Sequence, residues 1–569
     1  MQRHTRKVLG AVLAIGLIAS IGLGGCAPNE TGGETPVSNE PTKGGTLSYY
    51  VGDVSYIDPY NMQESEGTQV GQSVFDSLTA FDPLDPTKVL PAAAESWESN
   101  ADATVWTFKL NPNGMFSDGT PVTANDFVYG WSRIASTQTK NTSTGEPDPS
   151  VLSYHLAAIE GLDDNGNSDT GISGLKAIDD LTLEVALKYP FGDFEYVVAH
   201  PALAPVPQKY VEEGVDFNGE KVAFGDMPIG NGPFKMSEPW KRDQYLKVVQ
   251  NENFYGDKPY VDGIDFKIFK DPNTAFTEFE AGNLDFTQIG EGKIKDAVAK
   301  YGESENGYTA NPGKQVLLGA ENGIYYLVVN LKDKVMSDLN MRKAVSYAIN
   351  RQAICDLALE GTRDPADDIV PPGIAGYQSG SWPDAKYDVE AAKKALADAG
   401  YPEGKGAPEI TVTYNNDGGH EKVMQLVQAD LQAIGLEVSF DTADWTNTLK
   451  KYDSGSFQIG RAGWQADYPI MDNFLYPLFT TDAGNNLGKY SNPAGFDEPI
   501  KEARSTVDAA ERIAKYQAIN KTVGADLPSI PVMFYKHHHV ASDRVHELTY
   551  SAMGLADFQT VWLADAATQ

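Results

Sequence analysis

The chain has 569 residues, with 45 Lys+Arg against 79 Asp+Glu and a formal charge of −34. Hydrophobic residues at 41% and charged residues at 22% are globular composition, which excludes a disordered chain and a multi-span membrane protein, and the length predicts roughly two to four domains. So acidic a surface repels phosphate backbones and argues against nucleic acid as a partner, while two cysteines exclude a disulfide scaffold.

In chain order, Arg3, His4, Arg6 and Lys7 form a basic head before an apolar run over residues 8–23. That is the physical plan of a signal peptide, with an apolar stretch short for a stable span. The run ends at Leu23-Gly24-Gly25-Cys26, which resembles a bacterial lipobox whose cysteine is lipidated and becomes the mature N-terminus; the alternative is an uncleaved anchor helix. Residues 1–25 are thus expected to be a lipoprotein signal peptide, and the polar residues 26–43 a flexible tether.

Residues 105–110 alternate as a strand, turns follow at Asn111-Pro112-Asn113-Gly114 and Asp118-Gly119-Thr120-Pro121, and Thr123 precedes a helical run over 126–134. Asp163-Asp164-Asn165-Gly166-Asn167 resembles the start of a calcium loop, but Ser168 and Gly174 stand where the turn glycine and the bidentate Glu belong, so a turn is expected. Ser337 is the expected cap of a helix with apolar positions Met341, Ala344, Val345, Ala348 and Ile349. Cys355, in an apolar-periodic stretch, reads as a small core residue. Asp388 is the expected cap of a helix through Ala391, Ala392, Ala395 and Leu396 that Gly400 and Pro402 stop.

Residues 409–440 carry the clearest pattern. Ile410, Val412 and Tyr414 alternate, Val423, Leu426, Val427, Leu431 and Ile434 follow helical spacing, and Val438 and Phe440 open another strand after Gly435. This predicts a β-α-β crossover, a parallel sheet and an α/β domain. Ligands in such sheets lie beyond the carboxyl ends of the strands, where His420 enters the helix.

The stretch 457–468 reads as a strand leaving the core, and Asp467 follows Trp464 within it. A buried Asp needs a cation or donors; on the residues alone, an Asp capping the turn at Pro469 is the simpler reading. Residues 530–535 form a strand followed by His537, His538 and His539. Alternation puts His537 and His539 on one face, yet two imidazoles without a carboxylate or thiol make a poor metal site, so a solvated strand exit is expected. No P-loop, H-E-x-x-H or G-x-S-x-G is present. Neither an enzyme nor a cofactor or metal is expected.

Longer motifs carry a family resemblance. Leu90-Pro91-Ala92-Ala93-Ala94-Glu95-Ser96-Trp97, Trp106-Thr107-Phe108-Lys109-Leu110, the run 116–129, Ile229-Gly230-Asn231-Gly232-Pro233-Phe234, the run 341–349 and Ile530-Pro531-Val532 resemble peptide-type solute-binding proteins of ABC importers, extracellular solute-binding protein family 5. The stretch 461–468 looks like the oligopeptide-binding branch. The resemblance implies an α/β, periplasmic-binding-protein-like class II fold: two lobes about a hinge, with an additional inserted domain. Lobe I then comprises residues 44–75, 204–318 and 538–569, the inserted domain 76–203, and lobe III 319–537.

The same resemblance implies a lipid-anchored receptor on the outer face of the cell membrane, monomeric, that captures short peptides between the lobes and delivers them to a permease. A peptide in such a cleft lies extended and pairs like an added strand. Asp467 matches the carboxylate that takes the peptide α-ammonium, with Trp464, Gln465 and Gly463 as cleft neighbours and Trp445 over a side-chain pocket. His420 and Arg461 match cationic positions reaching the peptide carboxylate, and Gln63 and Ser65 match contacts to ligand backbone. Two positions depart from the pattern: Tyr452 stands in place of a second Arg, and Gln63 in place of a Glu. The alternative is the same transporter role with another solute, such as a nickel-chelate, a glycan or a signalling peptide.

Overall fold

The computed structural model describes residues 41–564, except 417, 418 and 482; the expected signal peptide, Cys26 and most of the expected tether lie outside the described residues. Among the described residues, no helix is long and apolar enough to cross a membrane.

Three large sheets organise the chain. The first has seven strands, in the order Phe234–Met236, Tyr245–Gln250, Gly263–Ile268, Thr46–Val51, Phe286–Gln288, His539–Ala541 and Val316–Leu317. Thr46–Val51 runs parallel to both of its neighbours, and the other pairings are antiparallel. Alternation in Thr46–Val51 buries Leu47, Tyr49 and Val51, which join Phe234, Leu246, Ile264 and Phe266 in one core. The second sheet is antiparallel, in the order Ala94–Ser99, Val105–Leu110, Thr182–Ala186 and Leu175–Asp179. Helix Ala124–Ala135 starts at Thr123, which forms a capping box with Asp126. It packs Phe127 and Trp131 against Phe108 and Leu183 of that sheet.

The third sheet has six strands: Asp364–Pro365, Ser529–Lys536, Ala320–Val329, Ile459–Gln465, Ile410–Asn415 and Val438–Ala443. The expected crossover is here, with Ile410–Asn415 and Val438–Ala443 in parallel register around helix Glu421–Gln432. The sheet is mixed rather than parallel, because Ala320–Val329 enters antiparallel to both of its neighbours. That strand is buried along most of its length, and its two faces feed separate cores, Tyr325 and Leu327 in one and Ile324 and Tyr326 in the other.

Other local expectations resolve at single residues. Asp388 caps helix Val389–Asp398, but the helix Leu339–Ala348 is capped by Asp338, whose carboxylate accepts from the Asn340 amide at 2.8 Å, and not by Ser337. The run 163–167 is a turn in which the Asp163 carboxylate accepts from the amides of Asn165 and Asn167. Cys355 is a buried thiol, and burial pushes it up to about 12, which makes it inert.

The solvated exit expected for the three histidines is overturned. The chain does not leave after Lys536 but crosses from the third sheet into the first. Val316–Leu317 continues through residues 318–319 into Ala320–Val329, and Ser529–Lys536 continues through His537 and His538 into His539–Ala541. The two segments run side by side: Leu317 pairs with His539, Ala320 with Lys536, and the His537 amide donates to the Gly319 carbonyl at 3.0 Å. A two-stranded ribbon therefore links the sheets. His537 is 2% exposed and bonds the Gly307 carbonyl through Nε2 at 2.8 Å, while His539 stacks on Phe286. Burial pushes His537 down to about 4 and His538 to about 3, so both rings are neutral.

Candidate ligand-binding cleft

A cavity of about 680 Å³ takes walls from several distant stretches. Gln63, Ser65 and Gln72 come from helix Ser65–Val74 and the residue run before it; Tyr154 and His200 come from around the second sheet. Residues 463–467 come from the end of strand Ile459–Gln465, and residues 555–559 from the returning C-terminal stretch.

Six of the expected site residues line it together: Gln63, Ser65, Gly463, Trp464, Gln465 and Asp467. Three do not. Arg461, Trp445 and His420 gather around Tyr325 instead. The Arg461 guanidinium lies 4.8 Å over the Tyr325 ring and 5.9 Å from the Trp445 ring, and the His420 ring stands 5.6 Å from Tyr325. Arg461 also donates to Asn415 Oδ1 at 3.4 Å and to the Tyr535 hydroxyl at 3.5 Å. Tyr452 is fully buried and donates to the Arg461 carbonyl at 2.7 Å, so it clamps the strand rather than facing a ligand.

Asp467 does not cap the turn at Pro469. Its Oδ2 accepts from the Tyr154 hydroxyl at 3.0 Å and from Asn473 Nδ2 at 2.8 Å. Asn473 lies in helix Asp472–Phe479, and its Oδ1 accepts from the Asp467 amide and from Trp464 Nε1. One amide side chain thus orients both the carboxylate and the indole. Burial pushes the Asp467 carboxyl up to about 6, and the two donors pull the other way.

The strand beside Asp467 is half open. Ile459–Gln465 pairs along its whole length with Ala320–Val329, but on its other side it pairs with Ile410–Asn415 only at Ile459 and Gly460. Residues 461–465 have no strand partner on that side among the described residues, and 463–465 stand in the cavity wall. Gln465 Nε2 is buried with no hydrogen-bond partner.

Sequence reasoning missed Tyr154, Asn473, His155 and His200. Ligand atoms of His155, His200 and Asp467 all lie within 4.8 Å of one another, a geometry that invites a metal. The Ala202 amide donates to His200 Nδ1 at 3.2 Å, which puts the ring proton on Nε2 and leaves that atom without a lone pair. One imidazole and one carboxylate remain, too few for a site of that kind.

Residues 88–486 match the family described as bacterial extracellular solute-binding proteins, family 5 Middle. The dipeptide-binding protein DppE of Bacillus subtilis is 26% identical, with 98% of this chain and 99% of that protein covered. The periplasmic oligopeptide-binding protein OppA of Salmonella typhimurium is 28% identical over 85% of this chain and 86% of its own. The structure of the Escherichia coli murein tripeptide binding protein MppA superposes with a TM-score of 0.75 at 24% identity, covering 93% of this chain and 99% of that one. The fold is the two-lobed, class II periplasmic-binding-protein fold with a hinge and an additional inserted domain. The three sheets, the ribbon that joins two of them and the match across most of the length lead to one conclusion: the chain belongs to family 5 of the bacterial extracellular solute-binding proteins.

Proposed function

We propose that this protein captures short peptides in the cleft and delivers them to the membrane permease of an ABC importer. It does so as a monomer held on the outer face of the cell membrane by lipid on Cys26. One observation carries the reading: Asp467, oriented by neutral donors only, stands at the end of an open strand edge. The edge at 463–465 offers main-chain pairing to an extended ligand, and the carboxylate awaits the α-ammonium at its start. Trp464, Gln465, Gly463, Gln63 and Ser65 contact ligand main chain and first side chains. The Arg461, His420 and Trp445 cluster, further along the same sheet, receives the carboxylate end of longer peptides. The names of the relatives, a dipeptide-binding and an oligopeptide-binding protein, agree with a peptide ligand.

In this reading lobe I is 44–75, 204–318 and 538–569, the inserted domain is 76–203, and lobe III is 319–537. The seven-stranded sheet draws its strands from those three stretches of lobe I, and the ribbon of residues 318–319 and 537–538 is the hinge. The experiment is mass spectrometry of ligand released by denaturing the purified protein. A mixture of short peptides is expected; a metal chelate, a glycan or another solute with no peptide would overturn the reading.

A further inference from the structure

The charge on the cavity wall is of one sign. Four carboxylates line it, from Asp76, Asp82, Asp467 and Asp557, and no lysine or arginine does. His200, the sole histidine in the lining, is pushed down to about 4 by burial and is neutral.

Three buried carboxylates elsewhere in this molecule are matched by a guanidinium, Asp58 by Arg133, Asp472 by Arg504 and Asp193 by Arg512, while buried Asp368 is held by neutral donors, Asn520 and the Val370 amide. All four cavity carboxylates are of the second kind, held by neutral donors. Asp76 accepts from the Tyr255 hydroxyl at 2.6 Å, Asp82 from the amides of Leu84 and Asp85, Asp557 from the Gln559 amide, and Asp467 from Tyr154 and Asn473. Among the described residues none of the four has an ion-pair partner. Desolvation raises Asp76 to about 6 and raises Asp557 as well. An unmatched acid held partly out of water gains most from a cation brought in by a ligand.

A free-amine peptide supplies one positive charge, and Asp467 takes it. Asp76, Asp82 and Asp557 then remain. We propose that the cleft selects peptides bearing lysine or arginine side chains and discriminates against acidic ones, an inference that rests on the peptide reading above. A glutamate side chain in this cavity meets carboxylates with no cation to offset them, whereas a lysine or arginine replaces the missing partner.

The test is titration calorimetry of the ligand-free wild-type protein with alanine peptides of three to five residues, in which one internal residue is Ala, Lys or Glu. The Lys peptide is expected to bind at least tenfold tighter than the Ala parent and the Glu peptide at least tenfold weaker, with both ratios shrinking as salt is raised. Asp76→Asn and Asp557→Asn are expected to reduce the Lys-to-Ala ratio. Equal binding of the three peptides, or tighter binding of the Glu peptide, overturns the charge selection and leaves peptide capture standing. Failure of every peptide to bind overturns both.

Discussion

The hydroxyl of Tyr154 donates to the carboxylate of Asp467 at 3.0 Å and so joins two stretches 313 residues apart in the wall of one cavity. An α-ammonium brought into a closed cleft loses hydration that only a counter-charge restores. Asp467→Asn keeps the shape and removes the charge, so free-amine peptides should weaken by about 2–5 kcal/mol while N-acetylated peptides change little. Calorimetry with both peptide forms decides this, and unchanged binding of the free amine would remove Asp467 from the site.

Acidity should reveal the same group. The Asp467 carboxyl sits at about 6, and a cation binds its ionised form. Affinity should therefore be level above pH 7 and fall on acidification through the midpoint. At pH 5 about one protein in ten carries the charge, a loss of about tenfold. Asp76, also near 6, acts in the same direction. Binding measured from pH 5 to pH 8 should show this slope in the wild type and less of it in Asp467→Asn; a flat wild-type profile contradicts the assignment.

Asp58 and Arg133 form a two-point buried ion pair at 2.9 and 2.8 Å. It ties helix Ala124–Ala135 to the segment just before Gln63. Asp58→Ala leaves a buried guanidinium uncompensated and should cost about 3–5 kcal/mol. Replacing both partners with apolar residues should cost less. Denaturant unfolding of the two single variants and the double variant measures the difference.

At the ribbon, a Cβ on Gly319 would stand 2.6 Å from the His537 ring and 2.5 Å from Tyr308. Gly319→Ala must displace both rings, a strain of about 1–3 kcal/mol. We expect a lower unfolding midpoint and a smaller ligand-induced change in radius of gyration by solution scattering than in the wild type. If saturating peptide leaves wild-type scattering unchanged, lobe closure is not how this chain holds its ligand.

Cys26→Ser should release the protein from membranes and from the detergent phase, because each buried methylene of an attached acyl chain contributes about 0.8 kcal/mol. Equal partitioning of wild type and variant would dismiss the anchor.

Local periodicity made part of this fold legible. Residues 409–440 shift from alternation to 3.6-residue spacing and back, and the crossover lies there. Thr123 and Asp388 announce helix starts, but Ser337 and Asp338 are both capping residues, and only the extended backbone at Asp338 chooses between them. The cleft was legible through the family resemblance, in one stretch with Gly463, Trp464, Gln465 and Asp467 and in another with Gln63 and Ser65; on the residues alone Asp467 reads as a turn cap. Tyr154 and Asn473 carry no local signal of their role, since what matters is the carboxylate they meet. The histidines misled for the same reason. Polar residues after a strand read as an exit, and nothing nearby says that Gly307, 230 residues earlier, receives His537.

Strand His539–Ala541 is interior to the seven-stranded sheet, between Phe286–Gln288 and Val316–Leu317, and Gln69 and Gln72 hold the main chain of Ala556. The order of synthesis is therefore not the order of completion. A growing chain that has reached Lys536 possesses every strand of the six-stranded sheet, yet the sheet begun at Thr46 still lacks its next-to-last strand, so the facing edges of Phe286–Gln288 and Val316–Leu317 stand unpaired. Those edges must stay solvated, and kept from other chains, until residues 539–541 arrive. Such distant closure makes for slow folding, because the sheet begun at Thr46 is completed only by residues 539–541.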